Sequence, residues 1–159
     1  MSSDLTVKVQ RLGASMQAYQ AAVDDFDREC ARLLGVNSTD LRCLEILVTE
    51  PDVEITPKMI AQRLNLTSGS VTTMLDRLER AGYAAREPHN VDRRKTVVRA
   101  TPEAQQQSWR LIGPALEDGF AVSSAYSAND IDVVARFVTE VTDTQRHHVN
   151  RLREMPTPH

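Results

Sequence analysis

With 159 residues, 41% of them hydrophobic and only 4% aromatic, the chain is long enough for one globular domain with an extension, and its core must be built from aliphatic side chains, which suits helices. No apolar run approaches the roughly 20 residues of a membrane helix, the start MSSDLTVKVQ lacks a secretory pattern, and Cys30 and Cys43 make neither a disulfide framework nor a C-x-x-C pair, so a cytoplasmic protein without a membrane partner is expected. The net charge of −3 is unevenly spread: nine basic against four acidic side chains between Pro57 and Thr101 leave that segment at +5 and the remainder at −8, a footprint suited to a polyanion.

The first element predicted is a long helix. From Leu5 to Leu34 one apolar seam recurs with spacings of four and three: Leu5, Val9, Leu12, Met16, Tyr19, Val23, Phe26, Cys30 and Leu33. At 1.5 Å per residue the helix is roughly 45 Å long, too long to be buried inside so small a domain. Gly35 ends it, and Asn37, Ser38 or Thr39 caps a second, shorter helix carrying Leu41, Leu44, Ile46, Leu47 and Val48 up to Pro51. Ile55 reads as a brief extended residue. Pro57 then opens a third helix at its first position, where a missing N–H costs nothing.

The next helix, about 67–81, is divided in character. Its second half, MLDRLERAG, is good helix material, whereas Thr67, Ser68, Gly69, Ser70, Thr72 and Thr73 are poor helix formers. With Val71, Leu75 and Leu78 turned inward, Gly69, Ser70, Thr73, Arg77 and Arg80 lie on the opposite side, flanked by Ser68 and Thr72. After Gly82 the pattern changes to period two, and Tyr83–Arg86 and Thr96–Arg99 read as the strands of a hairpin with the charged tip EPHNVDRRK. Thr101 caps a fifth helix with Pro102 at its first position, running through Trp109, Leu111, Ile112, Leu116 and Phe120, with a bend expected at Pro114. A last helix capped near Ser127 or Asn129 repeats the seam through Ile131, Val134, Val138, Val141, Gln145, His148 and Leu152.

The expected fold class is therefore mainly α with a small β-wing, a winged helix-turn-helix. At this point the block RLNLTSGSVTTMLDRLERAGYAAREPHNVDRRKTVVRATPEA resembles the MarR family of bacterial transcriptional regulators. The resemblance rests on a Ser/Thr-rich recognition helix, the L-x-R-L-E-x-x-G pattern of Leu75 to Gly82, Arg86 on a strand, Asp92-Arg93-Arg94 in the wing, and Thr101-Pro102-Glu103-Ala104 opening the following helix. Tyr83-Ala84 and Ala100 depart from the usual leucine and valine there, and both bear on wing packing.

In a helix-turn-helix the second helix enters the major groove, and small hydroxyl-bearing residues at its N-terminus let the backbone approach base edges. The candidate contacts to double-stranded DNA are Ser68, Gly69, Ser70, Thr72, Thr73, Arg77 and Arg80 on that helix, with Asp92, Arg93, Arg94 and Lys95 in the wing. The resemblance implies that Arg93 or Arg94 enters the minor groove; Asp92 orients an arginine and Lys95 meets the backbone. Residues 37–101 form the DNA-binding domain. Residues 1–36 and 102–159 form a helical dimerisation region, with Leu5, Val9, Leu12, Met16, Ile131, Val134, Val138, Val141 and Leu152 as its seam. Two-fold symmetry then sets two recognition helices one DNA turn apart.

The resemblance further implies release of DNA by a small aromatic or amphipathic effector, or by an oxidant. Tyr19, Phe26, Leu44, Leu47 and Trp109 are candidates to line an effector pocket, although apolar residues on inward faces also serve as plain core. Cys30 and Cys43 keep a cysteine-based oxidant sensor open as the alternative, and a helical interaction protein that has lost DNA binding is the other. The absence of H-x-x-x-H, a phosphate loop, G-x-S-x-G or H-E-x-x-H points away from a metal site, a cofactor or an enzyme.

Overall fold

A computed structural model of the chain describes residues 3–89, 92 and 95–156. In chain order it contains α1 (Ser3–Leu34), α2 (Ser38–Thr49), α3 (Pro57–Leu64), α4 (Ser68–Arg80), β1 (Ala84–Pro88), β2 (Thr96–Ala100), α5 (Pro102–Ser123) and α6 (Ala128–Arg153). The expected mainly helical architecture with a two-stranded wing is what forms.

Local chemistry sets most of these boundaries. Side-chain oxygens of Asn37, Thr56 and Thr67 accept from backbone N–H groups three residues on, which supplies the first turns of α2, α3 and α4 with partners for otherwise orphaned donors. Ser127 and Asp130 form a reciprocal capping box at the start of α6. Gly35, Asn65 and Gly82 leave α1, α3 and α4 with φ of +67°, +54° and +76°, the left-handed conformation that closes a helix and that glycine and asparagine adopt most readily.

The chain divides into two compact units, residues 1–112 and 113–159. In the first, a core of Leu44 and Leu47 from α2, Ile60 from α3, Val71, Met74, Leu75 and Leu78 from α4, and Val98 from β2 is all but sealed from solvent. Cys30, Ala31 and Leu34 at the end of α1 and Ala104 at the start of α5 belong to the same core. β1 and β2 pair antiparallel, with Ala84 opposite Ala100 and Pro88 opposite Thr96. Ile55 is not a strand: it makes one hydrogen bond to β2, from the Val98 N–H to its carbonyl at 2.7 Å, while its own N–H donates to the Val53 carbonyl at 2.9 Å and its side chain is buried. The Tyr83 hydroxyl donates to the Leu34 carbonyl at 2.9 Å, so the base of the wing satisfies one of the open carbonyls at the end of α1.

Outside that core the apolar seams are exposed. Leu5, Val9 and Leu12 on α1 are each more than two-fifths exposed, and no residue of α6 is buried. In the second unit Ile131, Val134, Val138 and Leu152 all stand open. No helix among the described residues is long and apolar enough to cross a membrane.

Candidate nucleic-acid interface

Helix α4 is amphipathic in the way its divided sequence requires. Val71, Met74, Leu75 and Leu78 are buried, while Ser68, Gly69, Ser70, Thr72, Thr73 and Arg80 are exposed. Gly69, Ser70, Thr73 and Arg77 share an open groove with Asn37, Ser38 and Thr39 at the N-terminus of α2. A Cβ built on Gly69 meets nothing within 4 Å, so nothing inside this chain requires glycine at that point. The hydroxyls are ordered along the helix: Thr72 Oγ1 donates to the Ser68 carbonyl at 3.0 Å and Thr73 Oγ1 to the Gly69 carbonyl at 3.2 Å. Thr67 Oγ1 lies 2.9 Å from Ser70 Oγ while also capping the helix.

Two ion-pair systems hold α4 from opposite sides. From α2, Asp40 accepts Arg77 Nη2 at 2.6 Å and Arg77 Nε at 3.1 Å, a bidentate fork. Asn37 Nδ2 adds a third donor to the Asp40 carboxylate at 3.1 Å. Asp40 is 3% exposed, the one charged side chain of the described core. From β1, Arg86 bonds Asp76 at 2.8 Å, Glu79, and the Thr72 carbonyl at 3.1 Å. Asp76 and Glu79 thereby share one cation on a helix whose other face carries hydroxyls. Asp40 was not expected from the sequence as a partner of Arg77, nor Asn37 as a second donor to it: Asp three residues after Asn reads simply as a helix cap.

Of the expected contacts, Gly69, Ser70 and Thr73 therefore line one open groove, while Ser68 and Thr72 are exposed on the same helix without lining it. Arg80 is exposed at the C-terminal end, with Nε on the Asp76 carbonyl at 3.2 Å. Arg77 is committed to Asp40. In the wing, Arg93 and Arg94 lie outside the described residues. Lys95 Nζ stands 3.8 Å from the Asp92 carboxylate, and the Asp92 N–H donates to His89 Nδ1 at 3.1 Å. His89 Nε2 in turn meets Glu54 at 2.9 Å, so the tip side of the wing is tied to the segment before α3.

A small apolar cavity opens elsewhere in the first unit, walled chiefly by Phe26, Cys30, Leu34, Leu41, Val48, Leu111 and Ile112, with Asp27 and Glu45 among its polar edges. Its narrow interior measures about 50 Å³. Phe26 was expected at such a pocket. Leu44 and Leu47 are core instead, and Tyr19 and Trp109 are 73% and 60% exposed. Burial pushes the Cys43 thiol up to about 12, with the Asp40 charge adding to it. The Cys30 thiol is raised as well, first by burial and then by Asp27, Glu45 and Glu29. Both shifts favour the neutral thiol, the reverse of what a reactive sensor cysteine needs. Among the described residues no group of His, Cys, Asp and Glu is arranged to hold a metal ion.

The chain is similar to known proteins over the same region. The model of the MarR family matches residues 34–95. The HTH-type transcriptional regulator YcgE of Bacillus subtilis (strain 168) is 30% identical over 129 residues, covering 81% of this chain and 82% of YcgE. The HTH-type transcriptional repressor YetL of the same organism is 25% identical over 107 residues, covering 67% of this chain and 64% of YetL. Among solved structures, a mutant of S. aureus MepR bound to an oligodeoxyribonucleotide superposes with a TM-score of 0.58 at 16% identity, covering 84% of this chain and 97% of that one.

Proposed function

Because the chain belongs to the MarR family and is a DNA-binding transcriptional regulator of the helix-turn-helix type, we propose that it works as a homodimeric repressor on a pseudo-palindromic operator. Helix α4 enters the major groove, and the wing carrying Asp92, Arg93, Arg94 and Lys95 follows the backbone into the adjoining minor groove. The observation that carries this reading is the open hydroxyl face of α4 beside the N-terminus of α2, clear of side chains that would keep a duplex away. The name of YetL supports repression as the direction of control. The DNA-bound MepR structure supports the mode of docking.

The exposed seams of α1 and α6 supply the second half of the proposal. Apolar stripes of that length on a monomer invite association, and a second copy covers them. Two-fold symmetry then spaces the recognition helices about 34–36 Å apart on one face of DNA. A small aromatic or amphipathic molecule that forces the narrow Phe26 cavity wider as it enters biases the dimer towards release. The protein acts in the cytoplasm, on the nucleoid while bound.

The test is retention of genomic fragments by the purified protein, followed by footprinting and a salt titration. A two-fold symmetric footprint is expected, with affinity falling steeply as salt rises because phosphate contacts release counterions. Failure to retain any fragment, or affinity indifferent to salt, sinks the proposal.

A further inference from the structure

Guanine presents two acceptors, O6 and N7, to the major groove, and the side chain that most often reads it is arginine, whose fork donates to both. Along α4 the arginine nearest that task is Arg77, and the Nε–Nη2 edge of its guanidinium is already held by Asp40, so only the Nη1–Nη2 end is open to another acceptor. Turning Arg77 towards DNA leaves the Asp40 carboxylate, 3% exposed, with the Asn37 amide as its side-chain donor. A buried charge deprived of its partner is strongly unfavourable. Arg80 sits a turn further on, at the end of the helix away from the N-terminal residues that reach base edges in this motif.

What remains near the helix start is short. A threonine hydroxyl has one proton, and in Thr72 and Thr73 it is given to the carbonyls of Ser68 and Gly69. The outward face of each side chain is therefore a lone pair and a methyl group. An A·T pair matches both, with the adenine N6 amino group as donor and the thymine methyl as apolar contact. A G·C pair offers one amino donor from cytosine but has no methyl group to meet the threonine methyls, and its two guanine acceptors find no proton on Thr72 Oγ1 or Thr73 Oγ1.

We propose that the Thr72–Thr73 face of α4 selects A·T pairs at the positions it meets, with Arg77 acting as a positioning residue rather than the reader of those pairs. This inference rests on α4 being the recognition helix.

The intact protein is presented with a random duplex library, and the retained sequences are aligned on their two-fold axis. A·T pairs are expected at the positions facing Thr72 and Thr73. Replacing thymine there by deoxyuracil, which removes only the methyl group, is expected to weaken binding about fourfold, the factor for one buried methyl. Thr72→Ser with Thr73→Ser removes the protein methyls and keeps the acceptors, so the thymine-to-deoxyuracil difference should vanish. Arg77→Met should lower affinity for all sequences without changing the aligned preference. Guanine enriched at those positions, with the enrichment abolished by Arg77→Met, overturns the inference, and so does a deoxyuracil effect that survives the double serine change. If no sequence is retained at all, the recognition-helix reading itself fails, and that outcome is visible before any base is compared.

Discussion

The Asp40–Arg77 pair spans 37 residues of sequence and joins α2 to the recognition helix, so its removal tests what holds α4 in place. Asp40 has a side chain 4% exposed, whereas that of Arg77 is 41% exposed. Hydrogen bonds to charged groups contribute about 1.5–3 kcal/mol each, but solvent screens the half-open guanidinium. Arg77→Met leaves a buried carboxylate with the Asn37 amide as its remaining side-chain donor, and a loss of about 2–3 kcal/mol is expected. Asp40→Leu strands the arginine, which can swing out to water, so a smaller loss of about 1–2 kcal/mol is expected. The double variant removes the charge and its counter-charge together and should lose less than the sum by about 1–2 kcal/mol. Urea denaturation at one fixed protein concentration, repeated for all four proteins of the cycle, measures that coupling. Additivity to within about 0.5 kcal/mol refutes the claim that the pair acts as a unit.

Three further outcomes follow from the same structure. Gly69→Ala should raise folding stability by about 0.5–1 kcal/mol, because the new methyl meets nothing and alanine is the better helix former, while operator affinity in gel shift should fall; unchanged affinity would remove Gly69 from the DNA face. Cys43 has a folded pKa above its ordinary value of 9.0, so the stability tied to its neutral thiol is complete below about pH 9 and is lost as pH climbs towards about 12. Cys43→Ala should therefore flatten the decline in urea midpoint between about pH 9 and 10.5, and an identical slope in both proteins would contradict the burial argument. Finally, Val134→Asp with Val138→Asp puts charge on the exposed stripe of α6, and sedimentation should show monomers where the parent chain sediments as a dimer. A parent chain that is already monomeric would dispose of the dimer proposal.

Much of this fold is legible one turn at a time. Asn37, Thr56, Thr67 and Ser127 cap the helices they precede, and Gly35 and Gly82 close the helices before them, because these effects act over three or four residues and need no knowledge of the rest. The division of α4 into a hydroxyl face and a leucine face is equally local, since a period of 3.6 residues fixes which side chains share a side. The stripes on α1 and α6 are read in the same way, and their exposure in a single chain agrees with the pattern.

Relationships between distant residues are another matter. Ile55 carries an extended signal, but its one hydrogen bond to Val98 and its burial depend on where β2 lies. Leu44 and Leu47 look as suitable for a pocket as for a core, and only packing against α4 and β2 assigns them to the core. Arg77 has the same character in the sequence as Arg80, both basic and one turn apart on the outer side of α4. Tertiary structure separates them, because α2 carries a buried carboxylate within 2.6 Å of the first, while the second remains exposed. Periodicity by itself determined which face of the recognition helix is polar. Which polar groups on that face are still free to meet DNA was decided by partners up to 37 residues away, through ion pairs that no local pattern encodes.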